Sequence, residues 1–203
     1  MTEIQNRLPF GKKGVSLVDR FGVYLSYKAI QKFLLKDNQS LLLDIGCGYN
    51  ATLLSAFQHR IKQGVGIDYE VNPALKANRN LAFVESSLEE GINQFNENTF
   101  DVIMLISVLE HLPEPEWILK RCFQLLKPNA VFLINVPTWR GKGFLEFSAF
   151  NLGLSPRSEM DDHKMYYDKR DLWPLLVKAG FIPSKIKLKY HKFGLNLFAV
   201  VRK

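Results

Sequence analysis

Leu41-Leu42-Leu43-Asp44-Ile45-Gly46-Cys47-Gly48-Tyr49-Asn50 decides the fold. The apolar run from Leu41 to Leu43 is too short for a helix and reads as a strand buried on both faces, as in a parallel sheet. It stops at Gly46-Cys47-Gly48, after which Ala51, Leu53, Leu54, Ala56 and Phe57 have the spacing of an amphipathic helix. A strand, a glycine-rich turn and a helix bring backbone N–H groups and a helix start close to a ligand, and side chains in place of the glycines would block the approach. The turn therefore predicts a cofactor site. Gly46-x-Gly48-x-x-Ala51, with the acid Asp68 about 20 residues on, also fits a dinucleotide site. Asp44 points the other way, because a carboxylate at the strand's end repels a diphosphate and attracts a cationic group.

Outward from this stretch, strands at 41–45, 64–68, 81–84, 100–106 and 130–136 alternate with helical segments at 51–60, 74–78, 88–93 and 115–126. Repeated strand–helix units predict a parallel sheet with helices on both faces. A helix at 168–178 follows, then two strand-like stretches, 182–190 and 195–201. They flank Lys192-Phe193-Gly194, and only a short turn joins them, so they must pair antiparallel. Upstream, Val18, Phe21, Leu25, Ala29 and Phe33 give residues 15–36 a helical period, interrupted by Gly22. The rhythm breaks at 138–167, which carries Trp139, Phe144, Leu145, Phe147, Phe150, Leu152, Leu154 and Tyr166, with Gly141 and Gly143 as hinges. A connection this long usually has a function. It reads as a lid over an acceptor, the alternatives being a dimer contact or a helix lying on a membrane surface.

Five motifs in order carry a resemblance to the class I S-adenosylmethionine (SAM)-dependent methyltransferases, of the ubiquinone type. Leu42–Gly48 resembles the family's first motif, Val65-Gly66-Ile67-Asp68 the end of its second strand, and Thr99-Phe100-Asp101-Val102-Ile103 its fourth strand. Leu125-Leu126-Lys127-Pro128-Asn129-Ala130 is similar to the turn before its fifth strand, and Asp171-Leu172 through Ala179-Gly180-Phe181 to its late helix. Together they cover about residues 40–203. The resemblance implies an α/β fold: a doubly wound, mostly parallel seven-stranded, Rossmann-like sheet ending in an antiparallel β-hairpin. It also implies one domain over 1–203, with 1–38 as a helical cap and 138–167 as the acceptor lid.

Under the same resemblance, Gly46, Cys47 and Gly48 present backbone to the methionine part of SAM, and Asp44 supports the turn and the amino group. Asp68 takes the ribose hydroxyls, since one carboxylate accepts two hydrogen bonds. Tyr69 lies on adenine or on the surface. Ser86, followed by Ser87, stands where the family often has an Asp for the adenine amino group. Asn50 replaces a third glycine, and Asn tolerates the left-handed region. Ser107 is a further cofactor candidate after the fourth strand. Glu110 and His111 follow that strand at the end of the sheet where a base belongs, and His163 is a second base candidate. The family's metal-binding members have an earlier Glu where Ser107 stands, so no metal is expected.

Composition sets outer bounds. With 203 residues and 47% hydrophobic content the chain can bury a full core. No signal peptide is read at the N-terminus, and the apolar runs 102–109 and 130–136 are too short to span a bilayer. Cys47 and Cys122 have neither zinc nor redox spacing and read as packing residues in a reducing cytoplasm. Residues 164–203 carry a net +8 within a chain of formal charge +7. That excess suits an anionic substrate, nucleic acid or lipid head group. Equally, Lys185, Lys187 and Lys189 alternate with apolar residues, as on an edge strand protected from pairing. No aromatic–basic interleaving of an RNA-binding module is present, so nucleic acid is not the expected partner. The expected activity is methyl transfer from SAM to an oxygen of a small molecule or glycoconjugate. The alternatives are a non-catalytic SAM-fold binding or regulatory protein and an NAD-dependent dehydrogenase.

Overall fold

The apolar run ahead of the glycine turn forms β1 (Leu41–Ile45), with four of its five residues buried. The structure, a computed structural model, describes residues 11–12, 14, 17–35, 37–143 and 164–203. Its seven strands make one sheet in the order β3-β2-β1-β4-β5-β7-β6, and the chain divides into two compact units at Phe95 and Asn96.

In the first unit, β2 (Gln63–Asp68) pairs parallel with β1, and β3 (Leu81–Glu85) pairs parallel with β2. The register sets Asp44 beside Gly66 and Asp68 beside Glu85, so the chemistry-bearing residues gather at the carboxyl ends of the strands. Helix α1 (Leu17–Ile30) buries Ile30, and Tyr27 stacks on Phe57 with ring centroids 4.9 Å apart. Phe57 ends α2 (Thr52–Phe57). The helix lies close to the sheet because Gly64 has no side chain: a Cβ there would be 2.8 Å from Leu54 Cδ1. α3 (Leu88–Ile92) is capped by Ser87, whose hydroxyl accepts from the Glu90 N–H. The sequence pattern overextends some helices here. Residues 58–60 and 73–77 are 3-10 turns, the second started by Asn72 and Pro73.

In the second unit, β4 (Phe100–Ile106) pairs parallel with β5 (Leu126–Pro137). Between them runs α4 (Glu116–Leu125), whose Ile118, Leu119, Cys122 and Leu125 are buried. After α5 (Lys169–Lys178), β6 (Ile186–His191) and β7 (Asn196–Arg202) form the expected antiparallel hairpin, with β7 against β5. Phe181, after α5, packs edge-on to Phe123 and stacks over Phe132. Two sequence expectations change. β5 starts at Leu126 rather than near Ala130, through a register shift that leaves Asn129 at φ 66°. Lys185 lies in a 3-10 turn before β6, outside the strand, and its Nζ donates to the Lys203 carbonyl at 3.1 Å. Only Lys187 and Lys189 of the predicted lysine face are on the strand.

Candidate active site

The glycine turn of the first unit is built around Asp68. Its Oδ2 accepts from the Gly48 N–H at 2.7 Å and its Oδ1 from the Tyr69 N–H at 2.9 Å, so one side chain ties the ends of β1 and β2. The Gly46 and Cys47 N–H groups both donate to the Ile67 carbonyl, at 2.8 and 3.1 Å. Gly46 (φ 72°) and Gly48 (φ 75°) take the left-handed conformations this winding needs. The residue strained in that region is Ala51 (φ 40°, ψ 47°), not Asn50 as the sequence suggested. Asn50 works through its side chain, donating to the Gly11 carbonyl and accepting from Asn72 Nδ2. Lys12 reaches the same place: it pairs with Glu70 at 2.6 Å and lies 5.6 Å from the Tyr49 ring centre.

The electrostatics are dominated by two neighbouring carboxylates, neither of which is held down by a cation among the described residues. Asp44 is 3% exposed, and burial, aided by the charge of Asp68, pushes its carboxyl up to about 7. Burial also raises Asp68, while the Gly48 and Tyr69 N–H groups pull it back. The Cys47 thiol is driven far above its ordinary range by burial and both carboxylates, so it is an inert packing group. Its sulfur sits where a Cβ on Gly66 would fall, at 2.8 Å.

Around the turn, Tyr69 is half exposed. The Ser86 hydroxyl donates to the Ser87 carbonyl at 2.9 Å, which leaves its lone pairs for a donor. Ser87 is occupied as the α3 cap. Glu85, just before them, accepts from the Val71 N–H and pairs with Lys76, which hold it below the usual carboxylate range.

The second unit brings Ser107, Glu110 and His111 together after β4. Ser107 is exposed at φ 56°, and its N–H donates to the Asn135 carbonyl at 2.8 Å. His111 is part-exposed in the 3-10 turn Leu109–His111. Glu110, a catalytic candidate in the sequence, is 1% exposed, with Oε2 unbonded among the described residues. Burial lifts its carboxyl to about 8, against the pull of its own backbone N–H and the Lys192 charge. The Lys164 and Met165 N–H groups donate to its carbonyl, and Tyr167 donates to the Pro137 carbonyl through its N–H and to the Leu109 carbonyl through its hydroxyl. Tyr167 is pushed up to about 12 by burial and by the charges of Glu110 and Asp171. Sequence reasoning passed over Asn135, fully buried with both amide atoms unbonded among the described residues, because an Asn inside an apolar strand carries no spacing signal.

Gly141, read as a hinge, is a close-approach residue: a Cβ would lie 2.2 Å from the Leu195 carbonyl oxygen. Most of the predicted lid, including His163 and Phe144 to Leu154, lies outside the described residues. Among the described residues, no group of three or more His, Cys, Asp or Glu could hold a metal ion, and no helix is long and apolar enough to cross a membrane.

These residues suit a ligand that brings donors and positive charge. Three N–H groups of the turn are already engaged, so a diphosphate would find few donors there, and Asp44 and Asp68 would repel it. A cationic ligand with hydroxyl donors relieves the Asp44–Asp68 repulsion instead. Residues 19–183 match a family model described as a methyltransferase domain. The ubiquinone biosynthesis O-methyltransferase of Serratia proteamaculans is 30% identical over 165 residues, covering 76% of this chain and 65% of that protein. Its counterpart in Aliivibrio fischeri is 30% identical over 95 residues, 43% of this chain and 40% of that one. The chain thus spans two thirds of these curated relatives or less. Among solved structures, a SAM-dependent methyltransferase from Archaeoglobus fulgidus superposes with a TM-score of 0.65 at 15% identity, over 93% of this chain and all of that one. A chain from a Haloferax volcanii complex between a methyltransferase and its activator gives 0.69 at 13%, over 91% and 90%. At these identities the structures establish the fold.

Proposed function

We propose, from the premise that this chain belongs to the methyltransferase-domain family and has SAM as its cofactor, that it methylates an oxygen of a small molecule or glycoconjugate. The pairing of Asp44 with Asp68 at a turn whose N–H groups are engaged carries the reading, since that site favours a cationic ligand. The O-methyltransferase names of the curated relatives support oxygen as the acceptor atom. When bound, SAM supplies a methyl on a positively charged sulfur that leaves with the bonding pair and needs no proton.

The chain's residues then have to hold and orient. Asp68 keeps its remaining lone pairs for the ribose hydroxyls while its N–H bonds fix its direction. Asp44 faces the ammonium side, Gly46, Cys47 and Gly48 present backbone, Tyr69 covers the adenine and Ser86 accepts from its amino group. Ser107 contributes from the loop after β4. His111 takes the proton that an acceptor hydroxyl loses, and His163 is the second candidate for that task. Glu110, buried and neutral near pH 7, positions the loop that holds His111 rather than acting as the base.

Titration calorimetry with SAM, S-adenosylhomocysteine and NAD tests the cofactor site, repeated with Asp68→Ala. Binding of the first two, lost in the variant, supports the reading, while binding of NAD alone refutes it. Transfer of labelled methyl to hydroxylated aromatics but not to amines of the same skeleton supports an oxygen acceptor; the reverse preference overturns it.

A further inference from the structure

The second unit carries a surface unrelated to this chemistry. A cleft of about 430 Å³ runs between α5 and β6, lined by Lys169, Arg170, Trp173, Pro174, Ile186 and Leu188. Trp173 and Tyr190 are 41% and 48% exposed, and the Lys169 ammonium lies 5.1 Å from the Tyr190 ring centre. β6 is the last strand of the sheet and, among the described residues, pairs only with β7. Its outer edge therefore presents a row of backbone donors and acceptors beside an apolar trough. We propose that this edge takes an extended peptide from a protein partner as a further strand, with apolar residues facing α5 and acidic residues in the alternate positions.

The pattern follows from the pleat. Ile186, Leu188 and Tyr190 share the face toward α5, and Lys187 and Lys189 point to the other face, both exposed. A paired strand repeats that alternation, so every second residue enters the trough and the others lie opposite the lysines. Lysines opposite lysines would repel, which disfavours a second copy of this edge, whereas acids opposite lysines attract. The nearby acids do not cancel the field, because residues 164–203 keep a net +8 with Asp168 and Asp171, the α5 capping box, included. Lys169 and Arg170 are the cations of the lining, but neither a nucleic acid nor a membrane surface offers the row of backbone donors and acceptors that completes a strand edge.

The test uses a short fluorescein-labelled peptide alternating Glu with Val, its counterpart with Lys for Glu, and a Glu form N-methylated on the edge that would meet β6. Anisotropy should show the Glu peptide binding about tenfold more tightly than the Lys peptide, and the N-methylated form not binding. Lys187→Glu with Lys189→Glu should reverse the charge preference, and Trp173→Ala should weaken the Glu peptide about tenfold. Both variants should keep the SAM affinity of the parent, which separates loss of the surface from loss of the fold. Failure of the Glu peptide to bind, equal binding of both charges, binding of the N-methylated form, or indifference to the charge reversal each overturns the proposal. So does binding of single-stranded RNA or anionic lipid vesicles that the double variant abolishes while neither peptide binds.

Discussion

On the proposed cofactor site, the buried Asp44 should make SAM affinity depend on pH. Its carboxyl titrates at about 7 without ligand, because burial and the neighbouring Asp68 disfavour the charge. A sulfonium and an ammonium favour that charge, so binding selects the ionised form and releases the proton of the neutral one. With a midpoint near 7, about nine tenths of the sites must lose a proton near pH 6 and about one tenth near pH 8. Affinity should therefore fall about tenfold from pH 8 to pH 6, or ~1.3 kcal/mol. The α-amino group of SAM titrates near this range too, so the informative quantity is the ratio of parent to Asp44→Asn affinity at each pH. That ratio should shrink on acidification. Calorimetry in buffers of different ionisation enthalpy should show nearly one proton released per SAM near pH 6 and almost none near pH 8. A ratio that does not move with pH, or the same proton release in Asp44→Asn, refutes the reasoning. The ligand-free protein should show the complement. A carboxyl whose folded value is raised contributes stability that is present below about pH 4 and lost as the pH climbs through 7. Asp44→Asn should thus melt well above the parent at pH 8, by less at pH 5, and alongside it only below about pH 4.

Glu110→Gln should match the parent's stability near pH 4 and exceed it increasingly as the pH rises to about 8, since the buried carboxyl ionises only at about 8 while the unfolded one ionises at its ordinary value; Glu110→Ala should cost about 2–3 kcal/mol at pH 4 by denaturant titration. Gly66→Ala puts a methyl 2.8 Å from Cys47 Sγ and 2.9 Å from Phe83, and should cost about 1–3 kcal/mol together with measurable SAM affinity. Ser87→Ala removes the hydroxyl that accepts from the Glu90 N–H and should lower stability by about 1 kcal/mol in the same titration.

The run Leu41–Gly48 disclosed the fold because three levels agree there: apolar strand, glycine turn and amphipathic helix each specify the same unit. The terminal hairpin was equally legible, since a turn of four residues cannot join parallel strands. Lys185 was misplaced because Pro183 starts a 3-10 turn inside a segment whose alternation looks strand-like. Left-handed geometry fell on Ala51 rather than Asn50 because the side chain of Asn50 is drawn to Gly11, a contact between residues far apart in sequence. The burial of Glu110 was hidden for a similar reason. The backbone of Lys164 and Met165 crosses its loop, and nothing in Ser107–His111 announces what will cover it. The positions of Asp44 and Asp68 at the ends of neighbouring strands were readable, but their mutual repulsion needed coordinates.

Both ends of the long connection after β5 are anchored at the same end of that unit. Thr138 bonds Gly194 and Leu195, and Gly141 presses on Leu195; on the return, Lys164 and Met165 bond Glu110 and Tyr167 bonds Pro137. With the two ends fixed by the core, changing the length of what lies between alters closure entropy only slowly, by about 0.6 kcal/mol per doubling. The anchors after β5 and before α5 therefore belong to the core of the second unit, and a change in the number of residues between them leaves their hydrogen bonds in place.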